Sequence, residues 1–328
     1  MAKQKKRLKL GLALGGGSAR GFTHIGVLKV LHKHKIYPDY IAGTSAGAMV
    51  GAFYAAGHSP SDIEEIAKKT DWKKILDFTS PKYGLISGRL IEKKIRKVIH
   101  NKNFNELDIP LSVVSYNLDQ HKKIVFGEGN VARAVRASIS IPGIFVPVKI
   151  GKYNHIDGGV VDPTPFDVVK EMGADIIIAV DLLHSEKKSI AGPVVKETSF
   201  ISEFRQTFVM AELLNLKNYF IPTRWPSFIR AVLSWTFDKL LYPAKLIRIL
   251  SGKELPPIAK VVNEAMDVLM NNLARERLSC AKVDIKITPS FGNLDWTNLR
   301  QVEKFVEIGE AEMNKKIGLL KKKMGLIR

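Results

Sequence analysis

From Leu8 to Val180, hydrophobic residues follow two periods, one typical of buried strands and one typical of amphipathic helices. Apolar or alternating runs predict strands at Leu8–Leu14, Asp39–Ala42, Leu111–Tyr116, Lys123–Phe126 and Ile176–Val180. Apolar residues at intervals of three and four predict helices over 23–34, 46–56 and 90–99. The last of the strands is apolar throughout, as expected for a parallel strand covered on both faces. The alternation predicts the α/β fold class, with a mainly parallel sheet covered by helices.

The pattern changes after Asp181. Residues 185–198 are polar and typical of a loop, and residues 200–250 are rich in aromatic and basic side chains. Further on, the spacing predicts a helix over 257–278, a short strand over 283–287 and a final helix over 298–320. We therefore expect three segments. They are an α/β core over residues 8–184, an aromatic and basic insert over 185–256, and C-terminal helices and a strand over 257–328 that complete the same domain.

Composition and charge narrow the class of protein. Hydrophobic residues make up 45% of the 328 residues and charged residues 25%, which excludes a disordered chain. The 51 lysines and arginines exceed the 32 acidic residues by 19, which predicts a polyanionic partner. The basic residues concentrate at the two ends and in the insert, and no zinc-finger, helix-turn-helix or RNP pattern is present. We therefore expect an anionic membrane surface as the partner, and no nucleic acid.

Few features bear on the compartment. The single cysteine, Cys280, excludes an intramolecular disulfide and a thiolate zinc cluster, which favours a reducing interior. The basic first residues precede an apolar run of only Leu8–Leu14, too short for a secretory signal. The uncharged stretch Ile41–Gly57 is rich in small residues and is more typical of a packed helix than of a membrane span. We expect a cytoplasmic protein in peripheral contact with the inner face of the cell membrane.

Gly43-Thr44-Ser45-Ala46-Gly47 is a G-x-S-x-G pentapeptide between a predicted strand and a predicted helix. In that context a serine sits on a strained turn, and the flanking glycines remove Cβ atoms that would clash there. The helix would also point its positive end toward the hydroxyl, which helps to stabilise developing negative charge. From these residues two interpretations stay open, a nucleophilic Ser45 and an ordinary strand–helix turn.

The run Gly15-Gly16-Gly17-Ser18-Ala19-Arg20-Gly21 forms a glycine-rich turn after the first strand. A Walker A loop is excluded because Phe22-Thr23 follows Gly21, where that motif requires Lys and then Ser or Thr. The glycine spacing fits the dinucleotide loop of some short-chain reductases, but none of the eight tyrosines has the lysine four residues on that those enzymes use. The third interpretation is an oxyanion hole, in which backbone N–H groups meet a tetrahedral oxyanion.

A third motif, Asp157-Gly158-Gly159, follows an alternating segment, and Asp before Gly is by itself common in turns. The three motifs in this order, with the intervening block Ala137–Val148 and the segment Asp157–Pro165, resemble bacterial members of the patatin-like phospholipase family. The resemblance is strong over residues 10–182 and weak over 258–313. It implies a three-layer α/β fold with helices on both faces of a mainly parallel sheet.

The resemblance also implies a Ser–Asp dyad in place of a Ser-His-Asp triad, with Ser45 as the nucleophile and Asp157 as its general base. The oxyanion hole would consist of the Gly16, Gly17 and Ser18 amides with Arg20 nearby. The family often has glycine at the position of Ser18, where a serine still supplies an N–H if the local φ allows it. The remaining motif residues are Gly15, Gly21, Gly43, Gly47, Gly158 and Gly159.

A free aspartate, with a pKa of about 3.9, is a weak base for a serine hydroxyl. Desolvation at an apolar site would raise the pKa of Asp157 and shorten its hydrogen bond to Ser45. His155 is the alternative base, because alternation puts it on the same strand face as Asp157, although we expect a structural role for it. No histidine pair has metal-ligand spacing with a carboxylate, so we expect neither a metal nor a cofactor.

The insert is the second indication of function. Between Phe200 and Glu254, eight basic residues minus four acidic ones leave a net charge of +4. No charge-free run there approaches the ~20 residues that a membrane span requires. Aromatic residues interleaved with Lys and Arg are typical of a helix in the membrane interface, and a lid with its aromatics turned inward is the alternative. The aromatic residues concerned are Trp225, Phe228, Trp235, Phe237 and Tyr242.

Together these features predict a membrane-associated serine esterase of lipid degradation, a hydrolase that cleaves ester bonds of phospholipids or related lipids through an acyl-enzyme. Two alternatives stay open. One is a non-catalytic module that binds lipid or protein on the same fold, and the other is a nucleotide-dependent reductase.

Overall fold

The computed structural model describes residues 7–77, 79, 83–183, 226, 228–229, 231–233, 257–295 and 298–327. Its first strand, β1 (Leu10–Leu14), leads through a 3₁₀ turn at Ser18–Phe22 into α1 (Thr23–Lys33). The next elements are β2 (Tyr40–Thr44), α2 (Ala46–Ala55), α3 (Pro60–Lys69), α4 (Trp72–Ile75) and α5 (Arg89–Val98). They are followed by a 3₁₀ turn at Phe104–Glu106, β3 (Leu111–Asn117), β4 (Lys122–Phe126), α6 (Val131–Ser138), β5 (Val148–Ile150) and β6 (Tyr153–Asp157). The remaining elements are a 3₁₀ turn at Gly158–Val160, α7 (Phe166–Glu171), β7 (Ile176–Val180), α8 (Pro257–Cys280), β8 (Ile285–Ile287) and α9 (Val302–Lys323).

The strands form one sheet in the order β5-β6-β3-β2-β1-β7-β8, with β4 also paired to β3. The pairs that join β3, β2, β1, β7 and β8 are parallel, whereas β4, β5 and β6 pair antiparallel. Parallel strands end at the same edge of a sheet, and β1 and β2 each end at one of the two glycine motifs. The mixed sheet therefore brings both motifs to one edge.

Residues on the two faces of β1 explain the layers. Leu10, Leu12 and Leu14 are fully buried in the larger hydrophobic cluster, which includes residues of α1, α2, α3, α5, α6 and α9. Ala13 belongs to the smaller cluster on the other face, with residues of α7 and α8. Gly11 faces that side too, where a Cβ would come within 2.0 Å of Val169 Cγ1. Helices therefore cover both faces of the sheet, and the resulting three-layer fold confirms the predicted fold class.

The C-terminal helix α9 packs along α1, and two glycines make the close approach possible. A Cβ on Gly26 would lie 2.0 Å from Val306 O, and a Cβ on Gly309 would lie 2.0 Å from Thr23 O. Phe305 of α9 is fully buried in the larger cluster. α9 begins at Val302 rather than at the predicted Asn298, and it runs through Lys323.

Most of the predicted insert lies outside the described residues, including Trp225, Trp235, Phe237, Tyr242 and the loop at 185–198. Phe228 is described, and 69% of it is exposed. Within the part of the chain that the structure describes, no helix has both the length and the apolar character needed to cross a bilayer.

Candidate active site

Ser45 lies on a sharp turn between β2 and α2. Its backbone angles are φ 54° and ψ −121°, a conformation that residues other than glycine rarely adopt. The flanking glycines permit close packing, since a Cβ on Gly43 would lie 2.6 Å from Ala48 N and one on Gly47 would lie 2.1 Å from Leu14 O. The predicted strained turn is therefore present, and it leaves Ser45 only 7% exposed.

Asp157 reaches Ser45 because β2 and β6 both end beside neighbouring residues of β3. Thr44 of β2 pairs with Val114, and Asp157 of β6 pairs with the next residue, Ser115. The hydroxyl of Ser45 donates to Asp157 Oδ2 over 2.6 Å. The structure thus brings together two residues that are 112 positions apart in the chain.

The carboxyl group of Asp157 is almost fully buried, at 2% exposure. Desolvation raises its pKa to about 6, against the opposing effect of hydrogen bonds from Ser45 and from the N–H of Gly159. A base with a pKa near the working pH holds a transferred proton better than an ordinary aspartate. The pKa of Asp157 is therefore raised by desolvation, as a catalytic aspartate base requires.

The glycine turn presents two free donors beside Ser45. The N–H of Gly15 donates to Val180 O and that of Gly16 donates to Pro163 O, each over 2.9 Å. Among the described residues, the N–H groups of Gly17 and Ser18 have no hydrogen-bond acceptor. The expectation that Gly16 supplies an oxyanion donor is therefore wrong for this conformation, because Pro163 O already accepts its N–H.

Gly16 has a different role in the turn. A Cβ there would lie 3.3 Å from Ser45 Cβ, so the absence of a side chain lets the turn approach the serine. Ser18, which stands at a position where the family often has glycine, has a φ of 52°. It adopts the left-handed conformation at some energetic cost and keeps its N–H in the turn.

Arg20 lies beside this turn, held by neighbouring residues. Its Nη1 donates to Leu182 O over 3.2 Å, and its guanidinium lies 4.9 Å from the centre of the Phe291 ring. Burial lowers its pKa, an effect opposed by Asp267 and other carboxylates. Arg20 and both free N–H residues line the same cleft as Ser45.

His155, the alternative base, packs elsewhere. Its ring lies 5.3 Å from the centre of the Phe126 ring, and desolvation lowers its pKa. The hydrogen bond of Ser45 Oγ goes directly to Asp157 instead. In the described part of the chain, no group of three His, Cys, Asp or Glu side chains is placed to hold a metal ion.

An open cleft of about 890 Å³, a volume that includes the solvent space at its mouth, lies beside Ser45. Its polar end contains Ser45, Asp157 and the glycine turn, and α8 contributes Met266 and Met270 to its wall. The mixed polar and apolar lining suits a ligand with a polar group on an apolar chain. The other apolar lining residues are Ile141, Pro142, Ile144 and Leu183.

Residues 12–170, which include both glycine motifs and Asp157, match the family model for patatin-like phospholipases. The chain therefore contains a patatin-like phospholipase domain over these residues. It is 34% identical over 192 residues to patatin-like phospholipase domain-containing protein 6 of Mus musculus, which covers 56% of this chain and 14% of that protein. It is 35% identical over 179 residues to lysophospholipase NTE1 of Debaryomyces hansenii, which covers 53% of this chain and 12% of that protein.

A solved structure supports the patatin-like fold. VipD from Legionella pneumophila superposes with a TM-score of 0.52 at 16% identity, covering 96% of this chain and 67% of VipD. The chain spans less than a sixth of the length of the two curated relatives. The match to the patatin-like family includes the glycine turn, and it explains this turn better than a nucleotide-dependent reductase does.

Sequence reasoning missed two residues that shape this patatin-like site. Ser138, fully buried, accepts the N–H of Ser45 on its Oγ over 2.8 Å and donates to Val114 O over 2.6 Å. The N–H of Asp157 donates to Ser140 O over 2.9 Å. Both serines belong to the block Ala137–Val148 that carries the resemblance, but nothing in the local pattern indicates which backbone atoms they meet.

A buried ion cluster lies behind the site. Asp162, fully buried, lies 3.0 Å from Lys123 Nζ and 3.0 Å from Arg277 Nη2. Asp167 pairs with the same two cations at 2.9 and 3.2 Å. Because Thr44 Oγ1 donates to Asp162 O over 2.8 Å, the cluster connects α8 to the residue before Ser45.

Proposed function

We propose that this chain is a serine acyl hydrolase that cleaves ester bonds of phospholipids or related lipids with a Ser45–Asp157 dyad. The 2.6 Å hydrogen bond between Ser45 Oγ and Asp157 Oδ2, beside two N–H groups without acceptors, is the observation that carries the proposal. The names phospholipase and lysophospholipase on two relatives support lipid esters as the substrate class. The apolar wall of the cleft offers contacts for an acyl chain.

In the first step, Ser45 Oγ attacks the ester carbonyl carbon while Asp157 Oδ2 accepts the hydroxyl proton. The carbonyl electron pair moves onto its oxygen, where the N–H groups of Gly17 and Ser18 and the N-terminus of α2 oppose the negative charge. When the tetrahedral intermediate collapses, the bond to the alcohol oxygen breaks. The alcohol leaves with the proton from Asp157, and the acyl group stays on Ser45.

In the second step, Asp157 accepts a proton from water as the water oxygen attacks the acyl carbon. The same N–H groups oppose the charge on the second tetrahedral oxyanion. The bond between the acyl carbon and Ser45 Oγ then breaks, and the proton returns from Asp157 to Oγ. A fatty acid leaves, and the dyad is restored.

The dyad is tested with a soluble p-nitrophenyl ester and two substitutions, Ser45→Ala and Asp157→Asn. Both variants should lose turnover by a factor of at least about 10³ while keeping their fold by circular dichroism. A fluorophosphonate probe should label Ser45, as mapped by mass spectrometry. Ser112→Ala is a matched control, since Ser112 is another buried serine, on β3, and should keep its turnover.

Full turnover in either dyad variant would reject this mechanism. A wild type that hydrolyses no member of a broad ester panel would favour the alternative, a non-catalytic module that binds lipid or protein on the same fold. Labelling of a serine other than Ser45 would move the nucleophile elsewhere in the chain.

We further propose that residues 185–256 form one insert on an otherwise single domain and that this insert contacts an anionic membrane surface. The described residues that flank it support a place near the cleft, because Leu183 and Met266 both line that cleft. A net charge of +4 between residues 200 and 254, combined with ten aromatic residues in the same segment, is typical of an interfacial element. Such a contact would present the cleft to its lipid substrate.

The membrane proposal predicts stronger binding to vesicles of anionic lipid than to zwitterionic vesicles, with weaker binding as salt increases. Replacing Trp225, Phe228 and Trp235 together by Ala should reduce co-sedimentation and turnover on bilayers, and should leave turnover of a soluble ester intact. An unchanged partition onto anionic vesicles would reject the interfacial role. A loss of soluble-ester turnover with unchanged partition would favour an inward-facing lid.

A further inference from the structure

A buried imidazole lies against the glycine turn and has no part in the mechanism above. His24, the second residue of α1, is fully buried, and its Nε2 lies 2.8 Å from Gly15 O. A carbonyl oxygen only accepts, so the ring is the tautomer with its hydrogen on Nε2. Among the described residues, Nδ1 has no hydrogen-bond partner. Burial lowers the pKa of His24 to about 4, which keeps the ring neutral near pH 7.

The peptide unit that His24 holds comes immediately before the two free donors. That unit joins Gly15 to Gly16. Its oxygen accepts from His24 Nε2, and its N–H donates to Pro163 O over 2.9 Å. Glycine has wide freedom in φ and ψ, so three glycines in succession need contacts to fix one conformation. These two hydrogen bonds fix the plane from which the Gly17 and Ser18 N–H groups project.

We propose that His24 is a positioning residue for the oxyanion hole, whose Nε2–H fixes the Gly15–Gly16 peptide so that Gly17 and Ser18 aim their N–H groups at the ester oxygen. The inference rests on the proposed function. It assigns no contact with substrate to His24, because its only hydrogen-bond partner in the described part of the chain is Gly15 O.

A role in core packing alone explains the residue less well. A leucine would fill a similar volume at this position without a buried nitrogen that lacks a partner. Buried polar groups in native proteins are nearly always paired, and exceptions concentrate where function requires them. Histidine at position 24 therefore suits a role as a neutral hydrogen-bond donor to Gly15 O.

The experiment compares His24→Leu with His24→Gln, using Val30→Ala as the matched control. Gln places an amide N–H near the position of Nε2, whereas Leu has no donor. Val30 is a buried residue near the other end of α1, so its truncation perturbs the same helix away from the turn. Thermal unfolding of each variant measures the perturbation of the fold.

For His24→Leu we expect kcat on a soluble ester to fall about 10- to 100-fold with KM unchanged, because the donors act on the transition state. His24→Gln should stay within about threefold of the wild type, and Val30→Ala should keep kcat even if it is less stable. Hydrogen exchange of residues 11–22 gives a readout independent of turnover. It should accelerate in His24→Leu and not in Val30→Ala.

An unchanged kcat in His24→Leu, or an equal loss in Val30→Ala, would overturn the positioning role. A loss in folded His24→Gln as large as that in His24→Leu would do the same. If His24→Gln fails to fold, the comparison of His24→Leu with Val30→Ala in kcat, KM and exchange decides. Turnover that depends on Ser45 distinguishes a failure of the positioning role from a failure of the proposed function. If the wild type has this turnover, the results test only the role of His24. If it does not, the proposed function and the positioning role are both rejected.

Discussion

The N–H of Gly159 donates to Asp157 Oδ1 over 2.7 Å, and this hydrogen bond leaves Oδ2 of the same carboxyl group directed at Ser45. The Asp-Gly-Gly motif therefore orients its own aspartate. Glycine is required in the turn because a Cβ on Gly158 would lie 2.5 Å from Val114 O. The geometry explains how an aspartate without an intervening imidazole can face the serine hydroxyl.

The pKa of Asp157 leads to a prediction for the pH dependence of turnover. The base must be ionised to accept a proton, and burial raises its pKa to about 6. We expect kcat/KM on a soluble ester to rise with pH through an apparent pKa of about 6. A pH profile between 4 and 8 measures this, and a midpoint near the ordinary value for aspartate would contradict it.

The same shift predicts how stability depends on pH. The folded-state pKa of about 6 lies above the ordinary aspartate value of 3.8, so the folded protein binds the proton more tightly than the unfolded chain. The stabilisation is complete below pH 3.8 and is lost as pH rises through 6. Asp157→Asn removes this titration. Its free energy of unfolding, relative to wild type, should therefore increase by roughly 2–3 kcal/mol between pH 4 and 7.

Urea denaturation of both proteins at several pH values tests this. Ser45→Ala is the control, because it keeps the Asp157 carboxyl and should keep most of the pH dependence. A difference between Asp157→Asn and wild type that stays constant with pH would show that this carboxyl group titrates alike in the folded and unfolded chains.

Much of the fold could be predicted because local patterns determine it. The apolar strand at Ile176–Val180 lies in the sheet interior as expected, and the strand–glycine–helix pattern around Ser45 is present. Short elements were missed. The 8-residue helix α6 and the 6-residue helix α7 are too short to establish a period, and tertiary contacts decide their conformation.

Only those site residues that belong to a sequence motif could be predicted. Ser45 and Asp157 lie in motifs, whereas the contact of Gly16 with Pro163 O depends on how two distant loops pack. Ser138 was missed for the same reason, since its partners are the N–H of Ser45 and the carbonyl oxygen of Val114 on β3 rather than atoms of its own segment. Such hydrogen bonds have no local signature in a sequence.

Backbone strain at Ser45 gives a further prediction. Its φ of 54° and ψ of −121° favour glycine over any residue with a Cβ. Ser45→Gly should therefore have a free energy of unfolding about 1 kcal/mol higher than Ser45→Ala, although both lose turnover. Chemical denaturation compares the two. An alanine variant as stable as the glycine variant would mean that the turn relaxes when the hydroxyl is removed.

The final prediction concerns the ion cluster that links α8 to the site. Arg277 contacts the buried carboxyl group of Asp162, and its guanidinium also lies 5.5 Å from the centre of the Phe166 ring. Arg277→Met would leave Asp162 with Lys123 as its remaining cation in the described part of the chain. We expect the free energy of unfolding to fall by about 1–3 kcal/mol, less than for a fully buried pair because Arg277 is partly exposed.

Arg275→Met is the matched control, since Arg275 is exposed on the same helix and should change stability by less than about 0.5 kcal/mol. A double-mutant cycle with Asp162→Asn should show coupling, because removing both charges costs less than the two single changes added together.

α8 also lines the cleft through Met266 and Met270, so a displaced helix should raise KM for a long-chain ester more than for a short one. Additive effects of Arg277→Met and Asp162→Asn would show that the two charges act independently and that other contacts hold α8 against the core.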